Sequence, residues 1–71
     1  MNDDCLIKLF VSPENINFFN RIIEGYSHLG TLTTVDSKSG KVFVRCTADT
    51  ITEMQLIVDN LPFVVKRIGE S

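Results

Sequence analysis

Apolar and polar residues alternate along several short stretches of this chain, which is the pattern of a β-strand with two different sides. The clearest is "GKVFVRCT" (40–47), and three further runs are rich in β-forming residues: "CLIKLFV" (5–11), "TLTTVD" (31–36) and "FVVKRI" (63–68). In 40–47 one side carries Val42, Val44 and Cys46, whereas the other carries Lys41, Phe43 and Arg45. The pattern predicts four strands, and the third has one apolar side and one mixed cationic and aromatic side.

Residues 12–30 repeat their apolar positions at the spacing of a helix. Ser12 suits the N-cap, Pro13 suits the first helical position, and Gly30 supplies a stop signal. The apolar stripe consists of Ile16, Phe19, Ile22, Ile23, Tyr26 and Leu29. We therefore predict a first helix over residues 12–30.

Residues 49–61 predict a second helix. Thr50 and Glu53 have the spacing of a capping box, with Asp49 as a rival cap, and Pro62 follows the segment. The apolar stripe consists of Ile51, Met54, Ile57, Val58 and Leu61. Between the second and third strands, "DSKSG" (36–40) predicts a hairpin turn with Gly40 in the left-handed conformation.

The order β-α-β-β-α-β predicts an α+β protein, the ferredoxin-like βαββαβ sandwich. Two right-handed crossovers then place both helices on one face of a four-stranded antiparallel sheet ordered 4-1-3-2. The 71 residues are enough for one domain, which we place at residues 1–71. Since no helix remains to cover the second face of the sheet, that face is expected to stay open.

Alternation along strands 1 and 3 places a mixed set of side chains at the centre of this open face. Leu6 lies there with the five residues of the candidate binding site, which are Lys8, Phe10, Lys41, Phe43 and Arg45. Three uses fit such a surface. It can be a solvated face on which Lys and Arg stems cover the rings, a face for self-association, or a platform on which nucleobases stack.

The charge and the hydropathy of the chain limit the classes of partner that we expect it to bind. The net charge of −2 and the pI of about 5.1 give no overall positive field, which argues against nucleic acid. The longest apolar runs are far shorter than the roughly 20 residues that span a bilayer, so no membrane partner is expected. The start "MNDD" is acidic, unlike that of a secretory signal, and we expect a cytoplasmic protein.

Two cysteines without CxxC spacing or a histidine cluster predict no zinc site and no other metal centre. Cys5 begins strand 1 and Cys46 ends strand 3. In an antiparallel pair these ends meet, and if the cysteines face each other then Ile7 faces Val44. We therefore predict two reduced thiols that are cross-strand neighbours on the helix side.

No set of residues has the spacing of a catalytic site, so we expect neither an enzyme nor a cofactor. His28, the single histidine, lies where it would contact the last carbonyls of the first helix. Tyr26, Thr34 and Asp36 could gather at one end of the sheet, although an aspartate that caps its own turn is the simpler interpretation. Gly25, unusual inside a helix, is expected to permit close packing or a bend.

The stretch "INFFNRIIEGYSHLGTLTTVDSKSG" (16–40) resembles the core of a small bacterial family known only as domain of unknown function 4911. The segments that carry the resemblance include Glu24-Gly25-Tyr26, Thr34-Val35-Asp36 and Gly40. It covers nearly the whole chain and implies no activity. More broadly the chain is similar to ACT-like regulatory domains, which implies side-by-side pairing and a small-molecule ligand such as an amino acid. Those domains place a glycine in the first β-α loop, and "VSPENI" (11–16) has none.

"LFVSPEN" (9–15) and "SGKVFVRC" (39–46) also resemble the first-strand and third-strand signatures of RNA-recognition motifs. That resemblance implies that Phe10 and Phe43 are stacking aromatics, although Lys41 stands where another ring is expected. From the sequence we expect a non-enzymatic, ACT-like dimerisation or small-ligand regulatory domain that forms a homodimer through its open face or an edge strand. The alternative is a protein that binds single-stranded nucleic acid on the open face.

Overall fold

A computed structural model describes residues 4–68 of the chain. Its four strands are β1 (Asp4–Val11), β2 (Gly30–Asp36), β3 (Lys41–Thr47) and β4 (Val65–Arg67). Its two α-helices are α1 (Ile16–Glu24), which a 3₁₀ helix at Pro13–Asn15 precedes, and α2 (Ile51–Asp59). The α+β class, with a four-stranded antiparallel sheet and two helices, is confirmed.

The sheet is ordered β2-β3-β1-β4, which reads β4-β1-β3-β2 from its other edge. All neighbouring strands are antiparallel. In the central pair Cys5 faces Cys46 and Ile7 faces Val44, which is the predicted register. Because directly opposed residues point to the same face of a sheet, this register fixes which side chains of β1 and β3 face the helices.

One hydrophobic core lies between the sheet and the helices. Phe19 and Ile23 of α1 and Met54 and Val58 of α2 are buried in the same cluster. The strand residues of that cluster all come from one side of the two central strands: Ile7, Leu9, Val11, Val42, Val44 and Cys46. Both helices therefore cover the same face, and each large apolar side chain that they bury stabilises the fold by about 1.5–3 kcal/mol.

The first helix is shorter than the predicted 12–30, since α1 ends at Glu24. Beyond that residue the backbone winds more tightly. Tyr26 N–H donates to the Ile23 carbonyl and Leu29 N–H donates to the Tyr26 carbonyl, each at 2.8 Å. These i to i−3 bonds change the direction of the side chains. Leu29 is buried, whereas Tyr26 is 41% exposed and does not join the core.

The second helix is also shorter than the predicted 49–61, and its capping box does not form. The backbone of Thr50 is nearly helical, with φ −110° and ψ −4°, and its side chain makes no cap bond. The hydroxyl instead donates to the Leu29 carbonyl at 2.8 Å and accepts from Thr47 N–H at 3.1 Å. Thr50 thus ties the turn after α1 to the end of β3.

Two other helix ends are held by bonds that the sequence did not predict. At Ser12 the carbonyl, rather than the hydroxyl, accepts the Asn15 N–H at 2.8 Å, because a 3₁₀ turn precedes α1. At the end of α2 the Asn60 side-chain amide donates to the Leu56 carbonyl at 2.7 Å. That bond satisfies a carbonyl that the helix leaves without an intrahelical partner.

The last strand covers three residues of the predicted 63–68. Phe63 does not extend β4, because its ring packs edge-on against that of Phe19 with 5.6 Å between centroids. Pairing with β1 begins at Val65. The outer edge formed by β4 is therefore short.

Gly40 joins the β2–β3 hairpin to the end of β1. Its φ of +84° lies in the left-handed region, as predicted. Its carbonyl accepts the Val11 N–H at 2.9 Å, and a Cβ at this position would overlap the Val11 carbonyl oxygen. A larger residue would therefore force the hairpin and β1 apart.

We expect Gly40→Ala to lower the free energy of unfolding by more than about 2 kcal/mol, since the left-handed conformation alone costs a non-glycine residue about 1–2 kcal/mol. Gly25→Ala is the matched control. Gly25 has a φ of −67° and its added Cβ would lie 3.3 Å from the Ile22 carbonyl oxygen. That change should stay within about 0.5 kcal/mol. Urea denaturation of both variants measures the difference, and equal losses would contradict the role assigned to Gly40.

Candidate functional site

The structure brings all five candidate residues to one face of the sheet. Across the β1–β3 pair Lys8 faces Phe43 and Phe10 faces Lys41, while Arg45 lies in the next row of the same face. None of them points toward the helices, because the inward side of both strands is occupied by the core residues. The candidate residues form one continuous surface.

Lys66 of β4 belongs to this surface and was missed in the sequence. It lies opposite Phe10, so it points to the same side. Its neighbour Arg67 points to the helix side, where it forms an ion pair with Asp59 at 2.6 Å. The run "FVVKRI" alternates too weakly to decide between the two cations. We use the name open sheet face for seven residues: Leu6, Lys8, Phe10, Lys41, Phe43, Arg45 and Lys66.

Phe10 lies in a row of cations. Lys41 is its neighbour on β3 and Lys66 its neighbour on β4, and Lys8 is two positions away on its own strand. Directly opposed residues have Cβ atoms about 4.5–5.5 Å apart, so a lysine side chain begins on each side of the ring. Phe10 is 37% exposed, which is high for a large aromatic residue.

Phe43 has a similar setting but is half-buried. Lys41 and Arg45 lie two positions away on β3, and the Lys8 ammonium lies 5.8 Å from the ring centroid. A cation over a ring at this distance contributes about 0.5–1 kcal/mol when it is exposed. Lys8 therefore covers Phe43, and Phe10 is the more accessible of the two rings.

The formal charges of the molecule are separated between its two layers. Four of the seven Lys and Arg residues lie on the open sheet face. Among residues 5–68 the acidic side chains outside the β2–β3 hairpin all belong to helical segments or to the turn before α2: Glu14, Glu24, Asp49, Glu53 and Asp59. The net charge of −2 thus conceals a basic sheet face and an acidic helix layer.

The two outer edges of the sheet are built differently. β4 has three residues, and both Lys66 and Arg67 are exposed there. β2 has seven residues and carries no charge between Gly30 and Val35. A bulge at Thr34–Asp36 interrupts its pairing with β3 at the hairpin end. Charges and shortness protect an edge from pairing with another chain, and β2 lacks both over its first five residues.

The helix layer also exposes apolar side chains. Phe18 is 48%, Tyr26 41% and Leu56 58% exposed. Tyr26 and Leu56 line a shallow groove between α1 and α2 of about 280 Å³, together with Ile22, Ile57, Asn60, Leu61 and Pro62. Nothing in the described part of the chain fills this groove.

Tyr26, Thr34 and Asp36 do not come together. Tyr26 lies in the turn before β2, whereas Thr34 is four residues into the strand, more than about 13 Å farther along it. The Asp36 carboxylate accepts a hydrogen bond from the Lys38 N–H at 3.0 Å. Asp36 therefore caps its own turn, which was the simpler of the two interpretations of its position. His28 is exposed in the turn that follows α1.

The two cysteines are thiols that face each other across β1 and β3 on the helix side, as predicted. Cys46 is buried and Cys5 is half-buried. Burial raises the pKa of the Cys46 thiol above its ordinary value, and the charge of Cys5 when ionised raises it further. A thiol that holds its proton more tightly is a weaker nucleophile at neutral pH.

The described residues offer neither a metal centre nor a membrane span. Within residues 4–68 no group of three or more His, Cys, Asp or Glu residues is placed to hold a metal ion. In the same part of the chain no helix is long and apolar enough to cross a membrane.

Comparison with known proteins defines the family. The model of a family described as "Domain of unknown function (DUF4911)" matches residues 9–65. The match spans all the described helices and strands at least in part, and the chain belongs to this family. No curated protein and no solved structure matches the chain.

The raised pKa of Cys46 predicts a pH dependence of stability. A proton held more tightly in the folded state stabilises the fold below the pKa of the unfolded thiol, about 8.5, and this contribution is lost as the pH rises through the folded pKa. The free energy of unfolding should therefore fall above about pH 8.5. Cys46→Ala should show a smaller fall over that range, measured by urea denaturation from neutral to alkaline pH. Parallel pH profiles for the two proteins would contradict the assignment.

Proposed function

We propose that this protein is a non-enzymatic module with a ferredoxin-like, ACT-like fold, and that it works as a side-by-side homodimer. In this proposal β2 of one copy pairs with β2 of a second copy in antiparallel orientation. The two sheets then join into one of eight strands with all four helices on the same side. The observation that carries the proposal is the contrast between the two sheet edges.

The unprotected part of β2 has what a pairing edge needs. Thr31, Thr33 and Thr34 are exposed and Leu32 is half-buried, so the strand is uncharged and rich in β-branched residues. Its outer N–H and C=O groups have no partner strand among the described residues. A second copy would satisfy them, because an antiparallel two-fold pair is self-complementary.

Pairing through the open sheet face is the weaker of the two dimer models. A two-fold contact would place Lys8, Lys41, Arg45 and Lys66 of one copy against the same four residues of the other. Like charges brought together at an interface cost several kcal/mol. The edge pairing avoids this cost, since it leaves both open faces exposed to solvent.

The test is the solution mass, measured by light scattering or sedimentation. The chain has a mass of 8.0 kDa, and we expect a species of twice that mass for the natural sequence. Thr33→Lys places a charge at the centre of the unprotected edge and should shift the protein to monomer. Thr33→Glu should do the same by itself. An equimolar mixture of the two variants should recover the dimer, because opposite charges then meet.

Two controls show whether dissociation comes from the change at β2 itself. Thr52→Lys makes the same change on the exposed surface of α2 and should leave the dimer intact. Phe10→Leu alters the open sheet face and should leave it intact as well. Thr33 faces Phe43, so Thr33→Lys also adds a charge beside the open sheet face, and Phe10→Leu is the variant that separates the two dimer models. A monomeric natural protein at high micromolar concentration, or a dimer that Phe10→Leu dissociates, would overturn the proposal.

A small-molecule ligand is a second candidate function, supported by a surface cleft of about 490 Å³ at the end of β1. Phe10, Ser12, Val64 and Lys66 line it, so one cation and two apolar groups meet there. This composition suits a small ligand that has a carboxylate for Lys66 and an apolar part, and a zwitterionic amino acid with an apolar side chain has both.

We expect calorimetric titration with a panel of amino acids to find one that binds, and Val64→Asp to weaken it at least about tenfold, because it replaces an apolar contact with a carboxylate that repels the carboxylate of the ligand. Val64 is 86% exposed, so the change should not disturb folding. Val35→Asp, at another exposed valine, is the control. Binding that both changes weaken equally, or no binding at all, would remove this candidate.

A further inference from the structure

We propose that the open sheet face binds single-stranded nucleic acid, with Phe10 as the principal ring on which a base stacks. The inference is separate from the pairing along β2, since a monomer presents the same face. It rests on the position of the cations, the exposure of the ring and the separation of charge between the two layers.

The open sheet face is locally basic. Lys8, Lys41, Arg45 and Lys66 lie within three neighbouring strands of one face, and the acidic residue nearest to them in the pairing register is Asp36, which faces Lys41 at the hairpin end. Four cations on one surface, with the acidic side chains of residues 5–68 other than Asp36 in the helical segments and the turn before α2, make a local positive potential that the net charge of −2 does not reveal. The acidic helix layer repels a polyanion, so a nucleic acid would be directed to this face.

Phe10 and Phe43 supply two aromatic rings on this face. Phe10 lies between Lys41 and Lys66 in one row of the face, and it is 37% exposed. A base stacked on this ring would have a lysine on each side for the phosphates that flank it. Phe43 lies one row away, on the diagonal, about 7–8 Å from Phe10. It offers a second ring once the Lys8 ammonium moves aside toward a phosphate.

The position of the rings favours a single strand over a duplex. The rings lie on a sheet surface and are only partly exposed, so they can meet a base only if that base is turned toward them. Bases of a duplex are stacked on one another and their faces are not available. A single strand presents base faces and phosphates together, and stacking on a ring contributes about 1–3 kcal/mol per base.

The experiment is a fluorescence anisotropy titration with labelled single-stranded RNA of about ten nucleotides, a length within the usual range for one small domain. We expect binding that weakens as salt rises, with a log–log slope of about 0.7 for each phosphate neutralised. Phe10→Leu keeps an apolar side chain but removes the ring, and should weaken binding about tenfold. Lys66→Gln should weaken binding and reduce the salt slope.

Each variant has a matched control on the helix layer. Phe18→Leu makes the same change at an aromatic residue that is 48% exposed on α1. Arg21→Gln removes a cation from α1. Both should leave binding within about twofold of the natural protein, since neither touches the open sheet face. Circular dichroism of all four variants checks that they remain folded.

Three results would overturn the inference. One is the absence of binding at low salt. Another is an equal loss in Phe10→Leu and Phe18→Leu, which would place the contact elsewhere. The last is binding of inorganic polyphosphate or duplex as tight as that of the single strand and insensitive to Phe10→Leu, which would mean that the face attracts polyanions without stacking. The solution mass is unaffected by any of these outcomes, so the dimer proposal is judged independently.

Discussion

The pairing of β1 with β3 sets the position of almost everything else in this protein. Cys5 faces Cys46, and each later pair keeps the same register, which sets the core residues of the two central strands on one side. A slip by one residue would turn lysines and phenylalanines toward the helices and valines toward water. At the far end of the pair, Gly40 and Val11 are in backbone contact. A side chain at Gly40 would overlap the Val11 carbonyl, so that contact holds the register.

The same register produces the separation of charge. Side chains alternate between the two faces of a strand. Because Ile7, Leu9, Val42 and Val44 lie in the core, the residues between them lie on the other face. A small domain with two helices has none left to cover a second sheet face. The open sheet face therefore carries three lysines, an arginine and two phenylalanine rings. Both the charged groups and the rings are available to a ligand. Most of the acidic residues among 5–68 belong to the helical segments and turns, and Asp36 at the end of β2 is the exception.

The two edges of the sheet also differ from each other, in length and in charge. Residues 63 and 64 do not join β4, since Phe63 packs on Phe19 and Val64 points to solvent, and the remaining strand is short and cationic. β2, at the other edge, is seven residues long and has exposed threonines at positions 31, 33 and 34. Such a strand leaves a row of backbone groups to a partner. The asymmetry comes from packing at one end of the molecule, and hydropathy along the chain does not reveal it.

The element order, the turn at Gly40 and the two sides of the central strands could all be predicted from the sequence, because a strand's period of two and glycine's left-handed freedom are local properties. The same periodicity located Lys8, Phe10, Lys41, Phe43 and Arg45 on one face. Where the helices end, how Thr50 bonds and which cation of β4 joins the open sheet face could not be predicted in this way. These features depend on contacts between segments distant in the chain: Thr50 reaches the Leu29 carbonyl, and Lys66 is placed by its pairing with Phe10. At these places the helix and strand preferences of single residues, which are a fraction of a kcal/mol, are outweighed by the burial and hydrogen bonding of the folded chain.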